Sequence, residues 1–213
     1  MTDPRTTVPP TTPAQRQGST RITVEPVIEA EDIERFYGLY LDAFGPLRTM
    51  AVARHVLHEE EFLDEMVNPL IDKYVAWGAD GQAIALATVT RHLSTVPWIS
   101  PEYFAHHYPE QTERGAVFYL GFILAAPGRQ RQRMFSEISR AVISRVAAAR
   151  GVCGWDVCGF NDQVVGLSRV VEAVSQDISP VQVEVLDTQT YYCGVPEASR
   201  NLTKLPRMRQ DEA

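Results

Sequence analysis

The chain has 213 residues, of which 45% are hydrophobic and 22% charged, a balance typical of a globular domain with a hydrophobic core. Its net charge of -7 argues against a nucleic-acid-binding protein, because neutralising phosphates requires clustered Lys and Arg. The 3 cysteines follow no disulfide or metal spacing, which predicts reduced thiols, no metal site and a cytoplasmic location. No apolar run approaches the roughly 18 residues of a membrane-spanning helix, so no membrane association is expected.

The two ends of the chain differ in composition from its centre. Residues 1–20 are polar and rich in Pro and Thr, without the apolar stretch of a signal peptide, which predicts a disordered N-terminal arm. Residues 196–213 are again polar and are predicted to form a frayed C-terminal tail. A single domain is therefore expected over residues 21–195.

The first part of this domain is predicted to be mainly helical. Ile22–Val27 fits a short strand at a sheet edge, because Pro26 cannot donate a ladder hydrogen bond. Apolar residues at helical spacing predict an amphipathic helix over Glu29–Phe44. Two more helices are predicted, one over Leu47–Leu57 and one that begins near Glu59, where three consecutive Glu suit a helix N-terminus.

Strand patterns appear in the middle of the chain. Tyr74–Trp77 and Ala83–Val89 flank a turn that contains Gly and Asp, which predicts a β-hairpin. Leu93–Gly115 holds three prolines and is expected to be a loop with one helical turn, Pro101–His107. The unbroken apolar run Val117–Ala126 predicts a central strand that is buried on both faces.

The last third alternates helices with strands. A long helix is predicted to follow the arginine-rich segment Arg129–Arg133 and to end at Gly151. A strand is expected at Trp155–Phe160, followed by a helix for which Asn161 or Asp162 would be the N-cap.

A final pair of strands is predicted at Val181–Leu186 and Thr190–Cys193. The strand–helix–strand unit that begins at Val117 requires parallel pairing through a right-handed crossover. The hairpin requires antiparallel pairing. The expected fold class is therefore α/β (α+β mixed), with a central mixed sheet flanked by helices.

This order of elements resembles the GNAT acyltransferase superfamily over about Thr23–Val195. In that family the central strand ends in a hydrophobic-x-Pro segment, which Ala125-Ala126-Pro127 matches, and a loop of pattern Q/R-x-x-G-x-G/A opens the long helix. The resemblance implies a sheet whose two parallel strands splay apart. It also implies that backbone N–H groups at the helix start hold the pyrophosphate of acetyl-CoA or another acyl-CoA.

The resemblance also implies which residues contact acyl-CoA. Gln130 occupies the Q/R position, whereas Arg133 and Phe135 stand where the family has glycine. Arg133 could bind a phosphate through its side chain, Phe135 could fill the space of the pyrophosphate, and the arginine-rich segment could instead be only a solvated helix start. The implied cofactor-binding residues are Leu124, Ala125, Gln130, Arg131, Gln132, Arg133, Met134, Phe135 and Asn161.

Catalytic candidates come from two segments. The family carries an Asn after the second parallel strand and, seven residues later, a Tyr that protonates the CoA thiolate. Asn161 matches the first position, but Ser168 stands at the second, and its hydroxyl would need a water or another group to donate a proton. His106 and His107 could line the acceptor site and act as the general base, as could His92. Exposed histidines without such a role are the alternative.

Two functions are predicted from these residues. The first is an enzyme that moves an acyl group from acyl-CoA to an amine of a small molecule or peptide, and pairing of the final strands across a two-fold axis would make it a homodimer. The alternative is a catalytically lapsed GNAT-fold binding or regulatory protein that no longer uses acyl-CoA, because both glycines and the Tyr are missing. A different α/β or α+β domain, without a mixed and splayed sheet, is the third interpretation.

Overall fold

The structure, a computed structural model, describes residues 21–53, 56–128, 131–176 and 178–196. The predicted N-terminal arm and all of the predicted tail except Pro196 lie outside these residues. The chain divides into two compact units, residues 1–183 and 184–213. The helices and strands described below all belong to the first unit.

A five-stranded sheet forms the centre of the first unit, with its strands in the order of the sequence. Neighbouring strands are antiparallel except for the last pair, which is parallel. The sheet is therefore mixed, and the predicted fold class is confirmed. The strands are β1 (Arg21–Glu25), β2 (Ile71–Trp77), β3 (Ala83–Thr90), β4 (Val117–Ala125) and β5 (Val152–Trp155).

Seven α-helices surround the sheet in the described part of the chain. They are α1 (Ala30–Phe44), α2 (Leu47–Met50), α3 (Glu59–Val67), α4 (Pro101–His107), α5 (Pro109–Glu113), α6 (Arg131–Ala148) and α7 (Leu167–Ser175). The predicted helix start in the run of three Glu is confirmed, because the Glu61 carboxylate accepts a hydrogen bond of 2.8 Å from the His58 backbone N–H.

Alternate residues of each strand face opposite sides of the sheet, and a hydrophobic cluster covers each side. On one side, α1 and α3 pack against the sheet through Phe36, Phe62 and Met66; we call this the α3 face. On the other, α6 packs through Ile138 and Val142; we call this the α6 face. A smaller cluster on the α3 face joins α4 to the first residues of β4, with Val96, Phe104, Val117 and Tyr119 as its members.

Several predicted boundaries are wrong. The second helix ends at Met50 rather than Leu57, and β5 ends at Trp155 rather than beginning there. The strand begins early because Val152 follows Gly151 directly and pairs with Val117 at the start of β4. The central strand is not buried throughout, since its middle residues Leu120–Ile123 are half-buried or exposed.

The predicted strands Val181–Leu186 and Thr190–Cys193 are also wrong, because both segments lack helix and strand structure. Their side chains are largely exposed, with Val185 84% and Tyr192 92% accessible. A strand pattern needs a partner strand and a face to cover, and in the described residues these segments have neither. No helix that the structure describes is both long and apolar enough to cross a membrane.

Candidate functional site: a carboxylate where two parallel strands part

The parallel strands β4 and β5 separate halfway along β4. They pair from Val117 with Val152 to Leu120 with Trp155, while β4 continues for five more residues to Ala125. Within the residues that the structure describes, no strand pairs with the second edge of that last segment. We call the point where the strands part the fork. Beyond it, one edge of the β4 backbone is left to bind an extended ligand.

A β-bulge lies at the fork. On β3, Thr88 pairs with Phe122 and Val89 pairs with Leu120, so Gly121 is the extra residue of β4. Gly121 is exposed. A Cβ on Gly121 would lie 2.7 Å from Thr88 Oγ1 and 3.3 Å from Glu65 Oε1. Glycine is therefore required here for the close approach of these two side chains rather than for an unusual backbone angle.

Glu65 comes from the last turn of α3 and reaches over the sheet to this bulge. It follows the buried Phe62 by three positions and precedes the buried Met66, so helical spacing places it on the apolar stripe. Burial raises the pKa of the Glu65 carboxyl above its usual range, while a hydrogen bond from Thr88 and the charge of Lys73 partly offset this effect. Together, Glu65, Thr88 and Gly121 form what we call the Glu65 site.

Thr88 joins the Glu65 carboxylate to the β4 backbone. Its Oγ1 accepts a hydrogen bond of 3.3 Å from the Phe122 N–H, which leaves its proton for the carboxylate. The Phe122 ring lies on the α3 face among the rings of Tyr40, Phe44 and Phe62, at centroid distances of 5.1, 6.0 and 6.3 Å. The Glu65 site therefore combines a proton acceptor, an exposed glycine and an aromatic wall.

A second polar cluster lies at the start of the fork, between Tyr119 of β4 and Asp156, which directly follows β5. Tyr119 donates a hydrogen bond of 2.6 Å to Asp156 Oδ1, and the Trp98 indole N–H donates one of 3.0 Å to the same oxygen. Burial, followed by the interaction with Asp156, raises the pKa of the Tyr119 hydroxyl far above its usual value. Tyr119 therefore keeps its proton at neutral pH. We call these three residues the Asp156 network.

The implied cofactor-binding residues that the structure describes lie in three places. Leu124 and Ala125 are buried and belong to the segment of β4 beyond the fork, which pairs with β3 on one edge only. Gln130 lies outside the described residues. Arg131, Gln132, Arg133, Met134 and Phe135 lie in the first turns of α6, with the first three exposed and Met134 buried. Asn161 lies after β5, at the start of a π-helical segment.

The Phe135 side chain faces the sheet at the start of α6. Its half-buried ring packs against the hydrophobic cluster of the α6 face, together with Met134, Ile138 and Val142. Helical spacing explains this packing, since Phe135 is three positions before Ile138 and points to the same side. The expectation that this side chain could fill the space of a pyrophosphate stays a prediction.

Asn161 and Ser168 lie on separate segments after β5. Asn161 begins a π-helical segment, Asn161–Val165, whose N-cap is Phe160. The predicted cap at Asn161 or Asp162 is wrong, because α7 begins only at Leu167. The Ser168 hydroxyl donates a hydrogen bond of 2.9 Å to Asp162, and it would have to break this bond before donating a proton to a thiolate.

The predicted histidines are on the surface. His106 and His107 end α4, and both are exposed. The His107 ring packs on Tyr103 with a centroid distance of 4.3 Å, and the ring of His106 lies 5.0 Å from that of His107. The buried residue of α4 is Phe104, and His106, two positions later, lies on the opposite side of the helix. A catalytic role for them stays a prediction.

Sequence reasoning missed Glu65, although a signal for it was present. Its position between Phe62 and Met66 puts an acid on an apolar stripe. Burial there disfavours a charge unless it is paired, and such acids are frequent at functional sites. Lys73 was missed as well. It precedes the predicted strand Tyr74–Trp77, whereas in the structure it lies inside β2 and is fully buried. In the described residues, no group of three or more His, Cys, Asp and Glu is arranged to hold a metal ion.

The described residues thus define an α/β protein with a mixed sheet that parts at a fork. Neither a protein-family model nor a curated protein matches the chain. A solved structure, aminoglycoside antibiotic 6'-N-acetyltransferase AAC(6')-Ih from Acinetobacter baumannii, is similar at 12% identity and a TM-score of 0.45, over 81% of this chain and 100% of that one. Another, aminoglycoside acetyltransferase meta-AAC0020 from an uncultured soil metagenomic sample in complex with sisomicin, is similar at 13% identity and a TM-score of 0.45, over 83% of this chain and 97% of that one.

Proposed function

We propose that the protein transfers an acyl group from acyl-CoA to an amine, with Glu65 as the general base. The observation that carries this proposal is the partly desolvated Glu65 carboxylate beside the exposed Gly121, at the point where the parallel strands part. A carboxylate whose pKa is raised by burial is a better proton acceptor than an ordinary surface Glu.

The free edge of β4 supports binding of the pantetheine arm. Extended ligands with amide groups add to an open strand edge through main-chain hydrogen bonds, and Leu124 and Ala125 supply such groups beyond the fork. At the far end of this edge, α6 begins with the exposed Arg131 and Arg133. A helix N-terminus together with guanidinium groups favours the phosphates of CoA.

The chemistry follows from this arrangement. The amine nitrogen attacks the thioester carbonyl carbon next to Gly121, a C–N bond forms, and Glu65 takes the proton that the nitrogen loses. The C–S bond then breaks, and the CoA thiolate leaves and takes up a proton from water, either directly or through the Ser168 hydroxyl, which would take a proton from water as it gives its own. The aromatic rings of Phe44 and Phe122 would line the approach of the acceptor, which we propose to be an amine of a small molecule or peptide.

Calorimetric titration with CoA and acetyl-CoA tests the first half of the proposal. We expect a saturable heat for both, and weaker binding when Arg133 is changed to Ala. Arg140→Ala, further along α6, is the control for a general change in charge. If neither ligand gives heat at high protein concentration, the protein does not use acyl-CoA and the interpretation as a lapsed binding module gains support.

A further inference from the structure

A buried lysine lies next to the Glu65 site and has no part in the reaction described above. Lysine occurs at only two positions of the chain, Lys73 and Lys204, while arginine supplies the other basic side chains. Lys73 is 0% exposed. Its ammonium donates hydrogen bonds of 2.9 Å to the Pro26 carbonyl and 2.7 Å to the Asn68 carbonyl. Burying an ammonium is unfavourable unless hydrogen bonds and an opposite charge replace the lost water. The two carbonyls supply the hydrogen bonds, and a nearby carboxylate could supply the charge.

The structure connects Lys73 to Glu65 in two ways. Asn68 is the C-cap of α3 and follows Glu65 by three positions, so the ammonium lies at the end of the same helix, about one turn from the carboxylate. Lys73 is also the direct cross-strand neighbour of Thr88, whose hydroxyl binds Glu65. Directly opposed residues in an antiparallel pair share a face, so all three side chains lie on the α3 face.

We propose that Lys73 is a positioning residue that holds the Glu65 carboxylate ionised at the fork, so that this buried acid can accept the proton of the incoming amine. The inference rests on the proposed function. A positive charge fixed at the end of α3 is also favoured by the partial negative charge of the helix C-terminus, which keeps the ammonium in place whatever the state of Glu65.

Other charged groups near Lys73 define what the test must control for. Glu25 pairs with Lys73 across β1 and β2, and Asp72 precedes it in the chain. Burial lowers the pKa of the Lys73 ammonium to about 8, while the negative charges of Glu65 and Asp72 act in the opposite direction. If Lys73 only donates hydrogen bonds to the Pro26 and Asn68 carbonyls and its charge does not interact with Glu65, the pKa of Lys73 is independent of Glu65.

Titration of lysine side chains by NMR separates these roles. With 13Cε-labelled lysine the protein gives two side-chain signals, and Lys204 serves as an internal reference. We expect the Lys73 midpoint to fall by about one pH unit in Glu65→Gln, because an opposite charge is removed. Asp64→Asn, an exposed acid on the same helix, is expected to leave the midpoint in place. An unchanged midpoint in Glu65→Gln would overturn the proposal.

The pH dependence of kcat/KM supplies the second readout. In Lys73→Met we expect the acidic limb of the profile to move about one unit higher, because Glu65 then holds its proton more tightly. A lower rate with the limb in its original place would refute the positioning role. Should Lys73→Met fail to fold, the lysine titration in Glu65→Gln still decides the matter. Full activity in Glu65→Gln would instead remove the proposed base, a failure that the lysine midpoint, measured without substrate, distinguishes from a loss of coupling.

Discussion

Two carboxylates lie on the α3 face, on either side of the same β-bulge, and their surroundings differ. Asp156 is exposed and accepts hydrogen bonds from two aromatic donors, Tyr119 and Trp98. Glu65 is desolvated, and its carboxylate accepts from the single hydroxyl of Thr88. The first arrangement ties the start of the fork together, whereas the second leaves a carboxylate able to bind and release a proton. The comparison teaches that solvation and partner number, rather than residue type, separate a structural acid from a candidate base.

The largest effect is expected from removing the charge of Glu65. Glu65→Gln keeps the shape of the side chain but cannot accept a proton, and loss of a general base typically lowers the rate about 10²- to 10⁴-fold. Asp64→Asn, on the exposed side of α3, should retain the wild-type rate. The measurement is kcat/KM for acetyl-CoA-dependent acylation, with circular dichroism to show that both variants are folded. Equal rates in the two variants would mean that Glu65 has no catalytic role.

A methyl group at Gly121 should disturb the Glu65 site more mildly. In Gly121→Ala the new Cβ would meet Thr88 Oγ1 at 2.7 Å, so Thr88 must move and its hydrogen bond to Glu65 weakens. We expect a roughly tenfold lower kcat/KM, equivalent to about 1.4 kcal/mol, and a stability loss of about 1–3 kcal/mol from overpacking. Gly38→Ala is the matched control, since a Cβ there meets nothing within 4 Å and should stabilise α1 by about 0.5–1 kcal/mol.

Substitution of Phe135 should lower the stability of the protein more than substitution of Arg133, although the two positions are two residues apart. Phe135→Ala removes a half-buried ring from the α6 face and is expected to lower the free energy of unfolding by about 2 kcal/mol. Arg133→Ala removes an exposed side chain and should leave stability within about 0.5 kcal/mol. Chemical denaturation measures both. If Phe135→Ala kept the wild-type stability and changed the affinity for CoA, the ring would belong to the ligand site.

The smallest effect is expected in the Asp156 network. Tyr119→Phe removes the hydroxyl that binds Asp156 while keeping the ring, and should cost about 1 kcal/mol of stability. Because the network lies on the other side of the bulge from Glu65, the acidic limb of the kcat/KM profile should stay where it is in the wild type. A shift of that limb in Tyr119→Phe would show that Asp156 and Glu65 interact, and the separation of their roles would be wrong.

Most of the helices and strands could be predicted from local patterns. The long helix over Glu29–Phe44 and the helical turn Pro101–His107 were predicted within one residue of the observed bounds, because apolar spacing and Pro act within a few residues of the chain. The strand Trp155–Phe160 was placed late. Its start depends on pairing with β4, which lies more than thirty residues earlier in the chain.

The candidate site could be predicted only in part. The resemblance indicated the segment that ends at Ala125, and that segment does run beyond the fork. It did not indicate Glu65, which reaches β4 from a helix more than fifty residues earlier in the chain. Ser168 was chosen for its spacing from Asn161, yet its hydroxyl is bonded to Asp162, a contact that follows from a π-helical segment with no clear sequence pattern.

The sequence by itself therefore determined the order of the strands β1 to β5, the mixed sheet and the apolar faces, since hydrophobic periodicity and turn residues are local properties. Only the tertiary structure decided where charges lie. It brought Glu65 to the bulge and buried Lys73 beside the end of α3. The reason is physical: the pKa of a carboxyl depends on solvent and on charges within a few ångströms, and these come from segments that are distant in the chain.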